Sequence, residues 1–107
     1  MRKLIVLIAA VALLVTAASS LAVTTRNVKI GDDFFSPTSM TVRKNDTVKW
    51  RWTGDSLHTV TVSKGPVKFS STAKRTGTYS KKMTRTGTYR ILCSIHPDTQ
   101  KMRIVVR

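Results

Sequence analysis

The chain reads as an all-β sandwich or barrel, and three observations carry that expectation. Apolar and polar residues alternate in short runs, turn-forming residues separate those runs, and no segment sustains a helical period for three turns. Val28-Lys29-Ile30 alternates first, and Met40-Thr41-Val42 repeats the pattern. Val48-Lys49-Trp50-Arg51-Trp52 is the clearest period-2 run, with Val48, Trp50 and Trp52 on one face. Thr59 to Ser63 puts Val60 and Val62 on one side and hydroxyls on the other. Tyr89, Ile91 and Cys93 share a face, as do Met102, Ile104 and Val106. Turns are expected at Gly31-Asp32-Asp33, Lys44-Asn45-Asp46, Thr53-Gly54-Asp55 and Lys64-Gly65-Pro66. Arg75-Thr76-Gly77-Thr78-Tyr79 recurs as Arg85-Thr86-Gly87-Thr88-Tyr89. Repeat arrays need longer periods and more copies, so this echo reads as two strand entries, each a glycine turn followed by an aromatic.

The amino-terminal segment belongs to targeting. Met1-Arg2-Lys3 is a basic start, Leu4 to Val15 is unbroken apolar sequence, and Thr16 to Ala22 turns small and polar. That order is the pattern of a secretory signal peptide, with Ser20-Leu21-Ala22 as the cleavage site. The apolar run is shorter than the ~20 residues of a comfortable membrane span. Residues 1–22 are therefore expected to be a signal peptide, the alternative being an uncleaved anchor, and residues 23–107 a single exported domain. Its location would be periplasmic, in the cell envelope or extracellular.

Of 107 residues, 19 are Lys or Arg and 5 are acidic, all of them Asp, for a formal charge of +14. Loss of Arg2 and Lys3 with the leader lowers it by two. The 41% hydrophobic content supports a folded chain despite the charge. The single Cys excludes an internal disulfide and any zinc site built on two or more thiolates. A domain this small needs a tight core, a disulfide or a metal, and with disulfides excluded the weight on a metal rises.

The residues able to hold one are few. Cys93 and His96 are three apart, followed by Pro97, where the Tyr89–Cys93 strand gives out. His58 lies far upstream, at the start of the Thr59–Ser63 strand. Singly, Cys93 fits as a small buried hydrophobe and each His as a solvated surface residue. Together they make a trigonal His₂Cys set, the arrangement of blue-copper electron-transfer sites, in which a weak axial ligand completes the site. An unpaired thiol in an oxidising compartment also needs a purpose, and metal ligation supplies one.

Two stretches carry a family resemblance. Val48-Lys49-Trp50-Arg51-Trp52-Thr53-Gly54-Asp55-Ser56-Leu57-His58-Thr59-Val60-Thr61 resembles the first-ligand segment of the small blue copper proteins, the cupredoxins of plastocyanin and amicyanin type. Gly87-Thr88-Tyr89-Arg90-Ile91-Leu92-Cys93-Ser94-Ile95-His96-Pro97 is similar to their cysteine loop. Phe35-Ser36-Pro37 before Met40-Thr41-Val42, and Asn45-Asp46-Thr47-Val48, resemble their opening strands. The resemblance implies a two-sheet Greek-key β-sandwich binding one copper ion, Cu(I) or Cu(II), through His58, Cys93 and His96. At the axial position the chain departs from the family. The amicyanin-type loop would place Met at position 99, where this chain has Thr99. Counting back from the last strand puts Gln100 there, and Gln is a known axial donor. Met102 is the alternative, with a second role as core filler beside Ile104 and Val106. A site with no axial side chain is the third option.

The resemblance further implies a one-electron carrier between redox partners, with His96 at the surface in an apolar patch passing the electron to a docked protein. No enzyme activity is expected, because copper oxidases and nitrite reductases of related fold need further copper centres. The alternatives are an exported copper-binding or storage protein without electron transfer, and a metal-free basic β-sandwich binding module. The positive charge suits steering toward a redox partner that is acidic at its docking surface, or peripheral attraction to an anionic envelope or membrane. No nucleic-acid reading motif is present and no specific nucleic-acid partner is expected. The domain is expected to act as a monomer.

Overall fold

The structure is a computed structural model, and it describes residues 22–107. The expected signal peptide, apart from Ala22, lies outside the described residues. Eight strands follow in chain order: β1 (Thr25–Gly31), β2 (Phe34–Ser36), β3 (Ser39–Val42), β4 (Thr47–Trp52), β5 (Thr61–Lys64), β6 (Gly77–Lys82), β7 (Gly87–Leu92) and β8 (Lys101–Val106). No helix occurs among the described residues. The strands form two four-stranded sheets, ordered β2-β1-β4-β6 and β3-β8-β7-β5. Each sheet is mixed: β1 pairs parallel with β4 and β3 parallel with β8, and the remaining pairs are antiparallel. The all-β sandwich expected from the sequence is the fold observed.

Alternation produces the core. In β4, Val48, Trp50 and Trp52 are buried while Lys49 and Arg51 face out. In β8, Met102, Ile104 and Val106 do the same, and they meet β1 and β4 residues across the sandwich. Trp50 is the centre, fully buried, with its ring 5.9 Å from Tyr79 and 6.2 Å from Phe69. Its indole N–H donates to the Met102 sulfur at 3.4 Å, so the one polar atom of the ring is satisfied inside the core. The echoed glycines have a shared cause. Gly77 (φ 103°) and Gly87 (φ 138°) both open strands in a left-handed conformation that side chains avoid, and they start β6 and β7 in different sheets.

At the end of the sandwich remote from the two histidines, Asp46 ties the turn before β4 to the chain's entry. Its carboxylate accepts from the Thr24 N–H at 3.0 Å and the Arg43 N–H at 2.9 Å. Those two bonds hold its pKa below the ordinary aspartate value of 3.8. A lowered folded-state pKa stabilises the fold above the unfolded value, and the contribution disappears as pH falls through the folded one. An Asp46→Ala protein is therefore expected to have a lower urea midpoint at neutral pH, and the gap should close in strong acid. A gap independent of pH would contradict this assignment.

Candidate metal centre

Three segments converge at one end of the sandwich: the turn between β1 and β2, the loop from β4 to β5, and the loop from β7 to β8. His58 comes from the second, and its backbone is pinned from two sides. His58 and Lys74 exchange N–H···O bonds of 3.0 and 3.1 Å, and the Trp52 indole N–H donates to the His58 carbonyl at 3.1 Å. The chain just after that bridge bonds to the Ser71 side, with Val60 carbonyl accepting from Ser71 N–H, so regular pairing with β7 begins only at Thr61 rather than at the expected Thr59. Cys93 directly follows β7, and its N–H still pairs with the Gln100 carbonyl at 3.0 Å. The loop between them is folded back, His96 N–H on Cys93 carbonyl at 3.1 Å and Gln100 N–H on His96 carbonyl at 3.0 Å. The β7–β8 loop thus returns Gln100 beside Cys93.

The sequence-expected trio is brought together. One ligand atom from each of His58, Cys93 and His96 lies within 4.8 Å of the others. Cys93 Sγ is 3.9 Å from His58 Nδ1 and 3.7 Å from His96 Nδ1. Such separations suit two ligands each ~2.0–2.3 Å from one first-row ion at about 120°. Cys93 and His58 are fully buried, while His96 is partly exposed and forms the outer edge.

Gln100 completes the fit. It is fully buried, its Nε2 donates to the carbonyls of Gly31 and Phe34 at 3.0 Å each, and its Oε1 is a buried oxygen with no hydrogen-bond partner among the described residues. An orphaned buried carbonyl costs ~1–3 kcal/mol, which a metal ion alongside would offset. Met102 is placed differently, its sulfur accepting the Trp50 N–H in the core.

The thiol is prepared for ionisation. Burial raises its pKa, but the N–H groups of Thr59 and Ile95 and the two histidines outweigh that, bringing it down to about 6. The Thr59 N–H lies 3.4 Å from Sγ, and the Thr59 hydroxyl accepts from Ser94 N–H at 2.8 Å. For His58, burial opposes protonation, but the hydrogen bond to Asp32 and the nearby Cys93 sulfur and Gln100 amide prevail and raise its pKa. Asp32 itself is held well below the usual carboxylate range by His58 and the N–H groups of Ser56 and Asp55.

Sequence reasoning missed Thr59, Asp32 and Asp33. Asp32 Oδ1 is 3.0 Å from His58 Nε2, and Asp33 Oδ1 is 3.5 Å from His96 Nε2. They were visible only as turn formers, more than twenty residues from His58, with no local pattern linking them to it.

The sequence matches the cupredoxin-like domain family over residues 4–106. The chain belongs to that family. Among solved structures, a reduced Cu(I) form of an amicyanin variant superposes with a TM-score of 0.69 at 25% identity, covering 82% of this chain and 87% of amicyanin. A purple cupredoxin from Nitrosopumilus maritimus gives 0.69 at 20% identity, covering 77% of this chain and 99% of that one, a likeness of fold. A copper-containing nitrite reductase from Thermus scotoductus SA-01 gives 0.67 at 23% identity over 78% of this chain. This cupredoxin spans only 22% of that enzyme's length. No curated protein sequence matches. Copper is the cofactor that the family and the N₂S donor set fit together.

Proposed function

We propose that this cupredoxin is an exported one-electron carrier, with His58 Nδ1, Cys93 Sγ and His96 Nδ1 as the strong copper ligands and Gln100 Oε1 as the axial donor. The observation that carries it is the convergence of these donors in a pre-packed site, where the orphaned Gln100 oxygen needs what a metal supplies. When bound, copper supplies a Cu(II)/Cu(I) couple. The protein's part is to hold its donors still between the two states. The His58–Lys74 backbone pair, the Trp52 indole bond to the His58 carbonyl and the closed Cys93–Gln100 loop do that. The signal peptide at residues 1–22 would deliver the domain, residues 23–107, beyond the cytoplasm.

The surface around His96 suits docking. Phe34, Leu57 and Ile95 are exposed apolar residues, each adjoining the site in sequence or by its backbone. Four of the five aspartates, Asp32, Asp33, Asp55 and Asp98, also lie in loops at this end. The cations lie largely elsewhere. Lys29 is directly opposite Arg51 in one sheet, Arg90 opposite Arg103 in the other, and no Lys or Arg among the described residues is ion-paired. Like charges directly opposite one another are unfavourable in a sheet, which points to an external anion as their counterpart. The overall positive field would draw in an acidic redox partner and turn its acidic region toward the cation faces, while the apolar patch seats the contact surface itself, the cation faces serving also for an anionic envelope. The domain would dock as a monomer. Burial of His58, Cys93 and Gln100 opposes ready copper exchange, which disfavours a storage or delivery role.

Cyclic voltammetry of the copper-loaded protein tests this role. The expected result is a reversible one-electron couple with fast electron exchange, shifting upward in Gln100→Met, where a thioether replaces the harder oxygen donor. That substitution also strands the Gly31 and Phe34 carbonyls and should lower stability by ~1–3 kcal/mol. An irreversible couple, or loss of copper on reduction, would exclude a carrier.

A further inference from the structure

Every donor except the thiolate is held from behind by the same four residues. Asp32 reaches His58 Nε2, Asp33 faces His96 Nε2, and the carbonyls of Gly31 and Phe34 take both N–H bonds of the Gln100 amide. We propose that the Gly31–Phe34 turn is the positioning element of the metal centre, setting imidazole tautomer and amide orientation before copper arrives. The proposal rests on the ligand assignment above and adds the residues that enforce it.

A neutral imidazole has one N–H and one lone pair. An ionised carboxylate can only accept, so Asp32 at 3.0 Å fixes the His58 proton on Nε2 and leaves the Nδ1 lone pair facing Cys93. Asp33, at 3.5 Å and exposed, is beyond good hydrogen-bond length and favours the same tautomer of His96 through its field alone. The Gln100 amide could otherwise flip end for end. Spending both N–H bonds on turn carbonyls decides its orientation and leaves Oε1 for the ion.

The turn is itself fixed. Asp32 also accepts from the Asp55 N–H at 3.0 Å and the Ser56 N–H at 3.0 Å, tying it to the loop that carries His58. A Cβ at position 54 would run into the Asp32 carboxylate, so Gly54 is needed for that approach. Asp33 adopts φ 70°, a left-handed conformation that Asp tolerates better than most residues. The two carboxylates also place negative charge behind the imidazoles, which favours the more highly charged oxidation state of a bound ion.

Three variants and four measurements test the clasp: Asp32→Leu, isosteric and without an acceptor, Asp32→Asn, which keeps an oxygen and loses the charge, and Asp33→Asn at the exposed position. Nitrogen NMR of the metal-free proteins reads the imidazole tautomers, and thermal unfolding identifies variants that remain folded. Competition titration and voltammetry then read copper affinity and potential. Wild type should show His58 as the Nε2–H tautomer. Asp32→Leu should lose that preference and bind copper 10–100-fold more weakly. Asp32→Asn should recover part of the affinity with a raised potential, and Asp33→Asn should do the same at smaller amplitude. A folded Asp32→Leu protein with wild-type tautomer and affinity would overturn the proposal. Should that variant not fold, an unchanged potential in Asp32→Asn would overturn it. Copper uptake by wild type without a thiolate band would defeat the ligand assignment, while the metal-free tautomers still decide the clasp.

Discussion

A Cys93→Ser protein is expected to fold and to lose its intense visible absorption completely. The band depends on thiolate-to-copper charge transfer, and a serine hydroxyl at neutral pH is neither ionised nor soft. The fold should survive because Sγ contributes little packing that a hydroxyl of similar size cannot replace, and Thr59 N–H, now 3.4 Å from sulfur, would face an acceptor oxygen. The cost is that of placing a hydroxyl in a buried site with partners, ~1 kcal/mol. In the wild type the thiol, at about 6, is largely ionised at neutral pH. Copper uptake should therefore weaken as pH falls below that value, where protons compete for the sulfur. Retention of the band in the variant would mean that another donor generates it.

The largest stability effect is expected at Trp50. Its ring is fully buried between Tyr79 and Phe69 and its N–H is bonded to Met102, so truncation removes packing from both sheets at once. Trp50→Ala should cost ~3–5 kcal/mol. Against a total stability of ~5–15 kcal/mol, that brings a domain this small close to unfolding. Urea titration of the metal-free protein measures it. A loss under ~1 kcal/mol would mean that the core refills around the gap.

How far the fold could be read from the chain depended on whether one face of each strand is buried. β4 and β8 were legible to within one residue at their starts, because every second side chain goes into the core. β2 was not. It spans three residues, too few for alternation to register, and exists because the Asp32-Asp33 turn lays it beside β1. β6 is an edge strand with no fully buried side chain, and only its glycine entry echoed that of β7. The cluster of His58, Cys93 and His96 was recognisable from residue type, local spacing and family likeness, and Gln100, the proposed axial donor, was reached by counting back from β8. Thr59 and the two aspartates were not, since they act across sheets and through backbone geometry. Whether Gln100 or Met102 reached the site turned on where the loop ends and β8 begins, which spacing alone left open: Gln100 closes the loop beside Cys93, while Met102 lies inside β8 against Trp50.

The most direct test of the account is a Cu(II) titration of residues 23–107, which contain all eight strands and the four proposed donors, followed by visible absorption and electron paramagnetic resonance. An intense thiolate-to-copper band is expected, saturating at one equivalent and absent in Cys93→Ser. Copper bound without that band, with Cys93 still titrating as a free thiol, would contradict it.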